Sequence, residues 1–134
     1  MTALPGSERV RTLIVEDVPM VADMMVEILG ILGHEVDTAE HGRHALERLD
    51  AAPYDLIVSD LAMPELDGLA FYRALAARHR ALQSRLIIVT GSEPDSTLEL
   101  ALIASGVPII RKPFSVLDFQ RIVEDVLLAH AVGL

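Results

Sequence analysis

The chain has 134 residues, a formal net charge of −9 and no cysteine. This length suits one ordinary domain with a full hydrophobic core. The lack of cysteine excludes disulfides, zinc fingers and iron–sulfur clusters, and an acidic chain without a basic run disfavours direct nucleic-acid binding. There is no apolar signal segment, and no stretch approaches the roughly 18 apolar residues that a membrane span needs, so we expect a cytoplasmic protein without membrane insertion.

Apolar runs and turn residues alternate along the chain and predict five strands, each followed by a helix. After a loose leader at 1–9, the predicted strands cover 10–15, 35–39, a run ending at Asp60, 85–90 and 107–111. The predicted helices cover 19–32, 42–49, 69–78, 96–104 and a last stretch after Ser115. This alternation predicts one α/β domain over 10–131, with a parallel sheet covered by helices on both faces. Alternation alone does not give the order of the strands.

Four of the apolar runs lead into polar side chains that can do chemistry. In chain order, these side chains are Glu16, Asp17, Asp60, Thr90 and Lys112. Buried parallel strands read as continuous apolar runs, and open α/β sheets bind ligands at the carboxyl ends of their strands. If the runs are neighbouring strands, three acids, a hydroxyl and an ammonium meet at one edge of the sheet. Lys112 is also the only lysine in the chain.

Three crowded carboxylates repel one another unless protons or a cation compensate their charge. An all-oxygen set of Glu16, Asp17 and Asp60, without His or Cys, favours a hard ion such as Mg²⁺ or Mn²⁺. An aspartate beside such an ion can act as a nucleophile and form an aspartyl phosphate. Phosphoryl transfer needs charge neutralisation on the transferred oxygens, which the ion, Lys112 and Thr90 can supply.

These motifs resemble the receiver domain of bacterial two-component response regulators. The resemblance covers about Val10 to Ala131 and rests on Val15-Glu16-Asp17, the segment 60–68, Val89-Thr90-Gly91 and Lys112-Pro113-Phe114. Each motif alone is weak, but all of them in order, each at a strand end, are highly specific. The resemblance implies a flavodoxin-like (βα)5 fold, doubly wound, with a five-stranded parallel sheet in the order 2-1-3-4-5.

The resemblance also implies a role for each site residue. Asp60 would be the phosphoacceptor, Asp17 would bind Mg²⁺ directly, and Glu16 would act largely through water. The main-chain carbonyl of Ala62 would complete the protein ligands of the ion, for which Mn²⁺ is a possible substitute. Thr90 would bind the phosphoryl group and report its presence.

The same resemblance implies partners. Lys112 would bridge a phosphoryl oxygen, helped by a cis Lys112–Pro113 peptide, which X–Pro bonds tolerate. The phosphodonor would be a histidine kinase or a histidine phosphotransfer domain. An unknown downstream protein would bind the face formed by the fourth predicted helix, the fifth strand and the last helix. We expect no turnover of an external substrate, only self-phosphorylation and autodephosphorylation.

The sequence departs from the commonest receiver pattern in three places. Ile109 stands where Tyr or Phe often swings inward as the threonine moves, so Thr90 and Ile109 are the switch positions without an aromatic side chain. Gly91 follows Thr90 where alanine is more usual. The stretch 107–112 looks more like receivers of hybrid sensor kinases than like DNA-binding regulators, so a stand-alone receiver and a hybrid-kinase receiver both stay open.

Two other functions remain open at this point. A phosphohydrolase of the haloacid dehalogenase type also uses a nucleophilic aspartate with Mg²⁺, but it usually carries a second aspartate where this chain has Ala62. A receiver-like docking module that no longer responds to phosphate is kept open by Ile109. Turnover of a phosphate ester would favour the first, and partner affinity that ignores phosphorylation would favour the second.

Two further expectations concern side-chain exposure. Helix one is mostly a core helix, but Met20 and Met24 are candidates for exposure where phosphodonor helices dock in the family, because methionine suits adaptable surfaces. The five histidines are expected in loops or outer helix turns, exposed to solvent and without a metal site.

Overall fold

Five parallel strands form the sheet of a computed structural model that describes residues 9–63, 66–91 and 96–131. The strands are β1 (Arg11–Val15), β2 (Glu35–Ala39), β3 (Leu56–Asp60), β4 (Leu86–Thr90) and β5 (Ile109–Arg111). Their spatial order is β2-β1-β3-β4-β5, with every neighbouring pair parallel. The flavodoxin-like order that the resemblance implied is therefore confirmed. The predicted leader falls almost wholly on residues 1–8, which lie outside the described residues, so its boundary stays a prediction.

Helices connect the strands and cover both faces of the sheet. They are α1 (Pro19–Ile31), α2 (Gly42–Ala51), α3 (Gly68–Arg78), α4 (Arg80–Gln83), α5 (Thr97–Ala104) and α6 (Val116–Ala131). The predicted helices all occur, with ends displaced by one or two residues. The fourth predicted helix is α5 and the last one is α6, because the short helix α4 was not predicted.

The alternation of side chains along the strands divides the core into two layers. Leu13 and Ile57 face a layer that includes Phe71 of α3, whereas Ile14 and Val58 face the opposite layer. The second layer is completed by α1 and α6, including the fully buried Phe119. Burial on both faces explains why β3 and β4 read as continuous apolar runs, since all of their residues are buried.

Glycine ends α1 and α5 as left-handed residues. Gly33 has φ of 91°, and its amide donates to the carbonyl of Gly30 at 3.0 Å, so the predicted stop after helix one is confirmed. Gly106 has φ of 83° and follows α5 in the same way. The amide of Val107 then donates to the carbonyl of Leu102 at 3.0 Å.

The last strand is shorter than predicted, because Val107 uses its amide to close α5 rather than to pair with β4. Pro108 has no amide hydrogen, although its carbonyl accepts from the amide of Ile88 at 2.9 Å. Regular pairing therefore starts at Ile109. The predicted strand at 107–111 was too long at its beginning.

The exposure predicted for the histidines is wrong for four of them, His34, His41, His44 and His79, which are all half-buried. Nδ1 of His34 lies 2.9 Å from the hydroxyl oxygen of Thr12, and Nε2 of His79 lies 2.9 Å from Oδ1 of Asp50. Burial lowers the pKa of His34, and the carboxylate of Asp55 opposes that shift. The imidazole of His34 therefore links the segment after α1 to Thr12 of β1.

Candidate functional site

The register of the sheet brings the carboxyl ends of the central strands level. Val15 pairs with Ser59, and Asp60 pairs with Val89. Thr90 pairs with Arg111 on the far side of β4. The residues that follow β1 and β5 are consequently held on either side of Asp60.

The end of β1 carries one buried and one exposed acid. The amide of Glu16 donates to the carbonyl of Ala39 at 3.0 Å, which continues the pairing with β2 one residue past the strand. Glu16 is only 3% exposed, whereas Asp17 is exposed. The amide of Val18 donates to Oε2 of Glu16 at 3.3 Å, so the chain turns toward α1 around this side chain.

Asp60 is the last residue of β3 and is buried, at 8% exposure. Burial raises the pKa of Asp60; the ammonium of Lys112 opposes that shift, as do backbone hydrogen bonds from Leu61 and Ala62. Below it, the amide of Gly68 donates to the carbonyl of Leu61 at 2.8 Å. This bond holds the beginning of α3 close to the end of β3, where a Cβ on Gly68 would lie 3.2 Å from Cα of Leu61.

Glu16, Asp17 and Asp60 each offer a carboxylate oxygen within 4.8 Å of the other two. Burial raises the pKa of Glu16, the charge of Asp60 raises it further, and the ammonium of Lys112 lowers it. Carboxylate oxygens without sulfur or nitrogen ligands form a donor set that hard divalent cations prefer. The described residues therefore contain an acidic cluster that fits such an ion.

Lys112 completes the cluster on the side of β5. Its Nζ lies 3.4 Å from Oε1 of Glu16 and 3.7 Å from Oδ1 of Asp60. Its amide donates to the carbonyl of Thr90 at 2.8 Å, and the following Lys112–Pro113 peptide is cis. The cis peptide that the resemblance implied is present. One ammonium thus faces two buried carboxylates.

The other predicted residues lie around this cluster. Thr90 ends β4 and is buried, at 1% exposure. Ala62 is exposed in the turn after Asp60, and its role as a carbonyl ligand stays a prediction. Ile109 is half-buried at the start of β5 and packs against the core layer that contains Phe71, away from the carboxylates.

The pair formed by Glu99 and Arg111 was not singled out among the predicted site residues. Glu99 lies in the first turn of α5 with its side chain wholly buried, and Arg111 ends β5. Both guanidinium NH₂ groups donate to the carboxylate, NH1 to Oε1 at 2.9 Å and NH2 to Oε2. A single acid within an otherwise apolar helix was the only signal for this pair.

Residues 12–125 match the family described as the response regulator receiver domain. The chain belongs to this family. It is therefore a receiver domain of two-component signalling, and the recognition made from its motifs is confirmed. No helix in the described ranges is both long and apolar enough to cross a lipid bilayer.

Individual relatives agree with the family. The chain is 32% identical over 90 residues to a gliding motility regulatory protein of Myxococcus xanthus, covering 67% of this chain and 12% of that protein. It is 24% identical over 121 residues to a probable chemotaxis protein CheY of Rhizobium etli, covering 90% and 94%. The receiver domain of a signal transduction histidine kinase from Syntrophus aciditrophicus superposes with a TM-score of 0.74 at 27% identity, covering 89% and 90%.

Several relatives are much longer than this receiver domain. The match covers 12% of the gliding motility protein and 45% of a probable transcriptional regulatory protein of Picosynechococcus. The chain thus spans less than half the length of these two relatives. What they share with it is the receiver domain, and the remaining parts of those proteins have no counterpart in the alignment.

Proposed function

We propose that this receiver domain accepts a phosphoryl group on Asp60 from a histidine kinase or a histidine phosphotransfer domain. The observation that carries the proposal is the position of the Asp60 carboxylate, which lies between two further acids and the ammonium of Lys112. A nucleophilic carboxylate needs an accessible oxygen and compensation for the charge of the incoming phosphoryl group. The ammonium of Lys112 supplies charge compensation beside Asp60, whose side chain keeps 12% exposure.

In the proposed reaction, a carboxylate oxygen of Asp60 attacks the phosphorus of a phosphohistidine in line with the bond to the imidazole nitrogen. That P–N bond breaks, the histidine leaves, and a mixed anhydride forms on Asp60. Lys112 moves its interaction from the carboxylates to a phosphoryl oxygen, and the hydroxyl of Thr90 binds a second one. Both groups stabilise charge as the phosphoryl group is transferred.

Mg²⁺ would be held by Asp17 and Asp60 directly, by Glu16 largely through water, and by the carbonyl of Ala62. The chemistry of the donor set supports this assignment, because the clustered acids in the described part of the chain offer carboxylate oxygens and Mg²⁺ keeps part of its water shell. When bound, the ion supplies positive charge beside the transferred oxygens. Mn²⁺ fits the same donors.

The phosphodonor is proposed to dock on the exposed apolar side chains at the start of α1. Val18 is 46% exposed, Met20 is 81% exposed and Met24 is 44% exposed. These side chains lie directly after Asp17 in the chain. Methionine adapts to varied partner surfaces, so this patch suits a helical donor domain.

The downstream protein is proposed to bind the face formed by α5, β5 and α6. This face carries exposed apolar side chains, among them Leu100 at 52% and Leu117 at 62%. A groove of about 460 Å³ runs between β5 and α6, lined by Ile109, Ile110, Arg111, Pro113, Phe114, Asp118, Arg121 and Ile122. The free edge of β5 and this groove offer both backbone groups and apolar contacts to a partner.

The proposal is tested by incubating the protein with acetyl phosphate and Mg²⁺ and measuring incorporation of one phosphoryl group by intact mass spectrometry. We expect labelling of the wild type, none in Asp60→Asn, and normal labelling in Asp23→Asn, since Asp23 is an exposed acid of α1. Labelling of Asp60→Asn at wild-type stoichiometry would overturn the assignment. Absence of wild-type labelling with any phosphodonor would support the docking module instead.

A further inference from the structure

The pair formed by Glu99 and Arg111 joins α5 to β5. The carboxylate of Glu99 has 0% side-chain exposure, while the arginine side chain is 43% exposed. Two parallel N–H···O contacts join them, a geometry in which the planar guanidinium matches the carboxylate. The carboxylate of Glu99 is thus removed from water, and the guanidinium of Arg111 compensates its charge.

This pair supplies part of the buried packing of α5. Among the residues of α5, only Glu99 and Leu102 are buried, and Leu100 and Ile103 are exposed at 52% and 49%. The side chain of Ser96 accepts from the amide of Glu99 at 3.2 Å and caps the same turn. Leu102 and one ion pair therefore supply the fully buried contacts of this helix, and the half-buried Leu98 packs against the core layer that contains Phe71.

The arginine end of the pair is tied to the phosphoryl site by backbone bonds. Arg111 is the register partner of Thr90, and the next amide, that of Lys112, donates to the carbonyl of Thr90 at 2.8 Å. The backbone of Arg111 thus belongs to the same bonded segment as Thr90 and Lys112, so a movement of that segment would carry Arg111 with it. Because the buried carboxylate of Glu99 is costly without its partner, Glu99 follows Arg111.

We propose that the Glu99–Arg111 pair couples the state of Asp60 to the position of α5, in the place of an aromatic side chain at position 109. Ile109 is a half-buried aliphatic residue that packs against the core, without a ring or hydroxyl that could move toward Thr90. Phosphorylation would shift α5 through the pair and rearrange the exposed Leu100 and Ile103. Glu99 and Arg111 act here as positioning residues, and the coupling rests on the proposed phosphorylation of Asp60.

The test uses beryllofluoride with Mg²⁺ as a mimic of the phosphoryl group. Binding is followed by ¹⁹F NMR, and the response of α5 by hydrogen exchange of peptides covering residues 97–104. In the wild type we expect the mimic to change exchange in α5 by about fivefold or more, the lower range of allosteric coupling. The double variant Glu99→Leu with Arg111→Met removes both charges and leaves no buried unpaired carboxylate, so it should fold.

We expect the double variant to bind the mimic like the wild type but to lose the response of α5. Arg73→Met removes an exposed arginine from α3, and this control should keep the response. If the double variant does not fold, Arg111→Lys decides, because it keeps the charge but not the two-pronged contact, and the response should fall. An undiminished response in whichever of these variants is decisive overturns the coupling.

Two wild-type results separate the coupling from the function on which it rests. A wild type that binds the mimic without any change in α5 overturns the coupling alone. A wild type that binds no mimic overturns both the phosphoacceptor function and the coupling. Equal loss of response in Arg73→Met would assign the effect to the loss of a positive charge in general and would also contradict the proposal.

Discussion

The ammonium of Lys112 lies 3.7 Å from Oδ1 of Asp60 and 3.4 Å from Oε1 of Glu16, so one cation faces two buried carboxylates at the carboxyl edge of the sheet. Both carboxyl groups have raised pKa values because burial outweighs the attraction of this ammonium. The arrangement leaves an excess of negative charge that a divalent cation would compensate, which an anionic phosphodonor requires.

Lys112→Met should slow labelling by acetyl phosphate by about 10²–10³-fold, the loss typical of removing one donor that stabilises a transition state. The reason is that no other ammonium faces Asp60, because Lys112 is the only lysine in the chain. Initial labelling rates measured by mass spectrometry check this. Arg121→Met changes the net charge equally on an exposed part of α6 and should label at the wild-type rate. Equal rates for the wild type and Lys112→Met would remove Lys112 from the site.

Mg²⁺ should raise the free energy of unfolding, since it binds the folded acidic cluster better than the unfolded chain. At about 100 times its Kd the expected gain is about 2.7 kcal/mol. Thermal unfolding with and without Mg²⁺ measures this gain. Asp17→Asn should lose most of the gain, whereas Asp23→Asn, an exposed acid of the same region, should retain it. Equal stabilisation of both variants would place the ion elsewhere.

Gly91→Ala should fold and label normally. A Cβ at this position would lie 3.9 Å from Cβ and Cδ of Lys112, which is ordinary van der Waals contact, and among the described glycines only Gly33 and Gly106 have positive φ. Replacing a glycine at a compatible position typically stabilises by about 0.4–1 kcal/mol. Urea denaturation checks the value. A loss of stability would show that the glycine is required by the loop rather than merely tolerated.

His34→Gln should reduce the acid sensitivity of the fold. Burial lowers the pKa of His34 below its usual value of 6.5, so the neutral imidazole is favoured in the folded state. The stability that the neutral imidazole contributes is fully present above the pKa of His34 in the unfolded chain. It is lost as the pH falls from 6.5 toward the lower pKa of His34 in the folded state. Denaturation curves between about pH 7.5 and about pH 5 would measure the difference between wild type and variant. A difference that does not change with pH would contradict this assignment.

Much of the sheet and the proximity of the acidic residues could be predicted from the sequence, because buried parallel strands leave long apolar runs. Each apolar run ends at the carboxyl edge of the sheet. The acids and the lysine come at or just after the ends of these runs, so they meet at that edge. The strand order came from the resemblance, since alternation of strands and helices does not specify it. The roles of these residues in phosphorylation stay predictions.

The pair of Glu99 and Arg111 was not predictable in the same way. The segment around Glu99 is apolar on all sides of the helix, so its pattern does not show whether the acid faces the core or the solvent. Its partner is twelve residues away and belongs to a different element. Only the packing of α5 against β5 brings the two side chains together.

The short helix α4 and the start of β5 depended on tertiary contacts as well. Four residues are too few to carry a helical pattern, and α4 is held by Leu82, which is 8% exposed. At β5, two backbone partners compete for the amide of Val107. It donates to the carbonyl of Leu102 at the end of α5 and does not extend the strand. Neither outcome follows from the residue types alone.

The most direct test of the account is the chemical identification of the phosphorylated side chain. Sodium borohydride reduces an aspartyl phosphate to homoserine, which peptide sequencing by mass spectrometry locates. After labelling with a phosphodonor in Mg²⁺, we expect homoserine at position 60 and at no other acid. Homoserine at position 17 or at another carboxylate, with Asp60 intact, would contradict it.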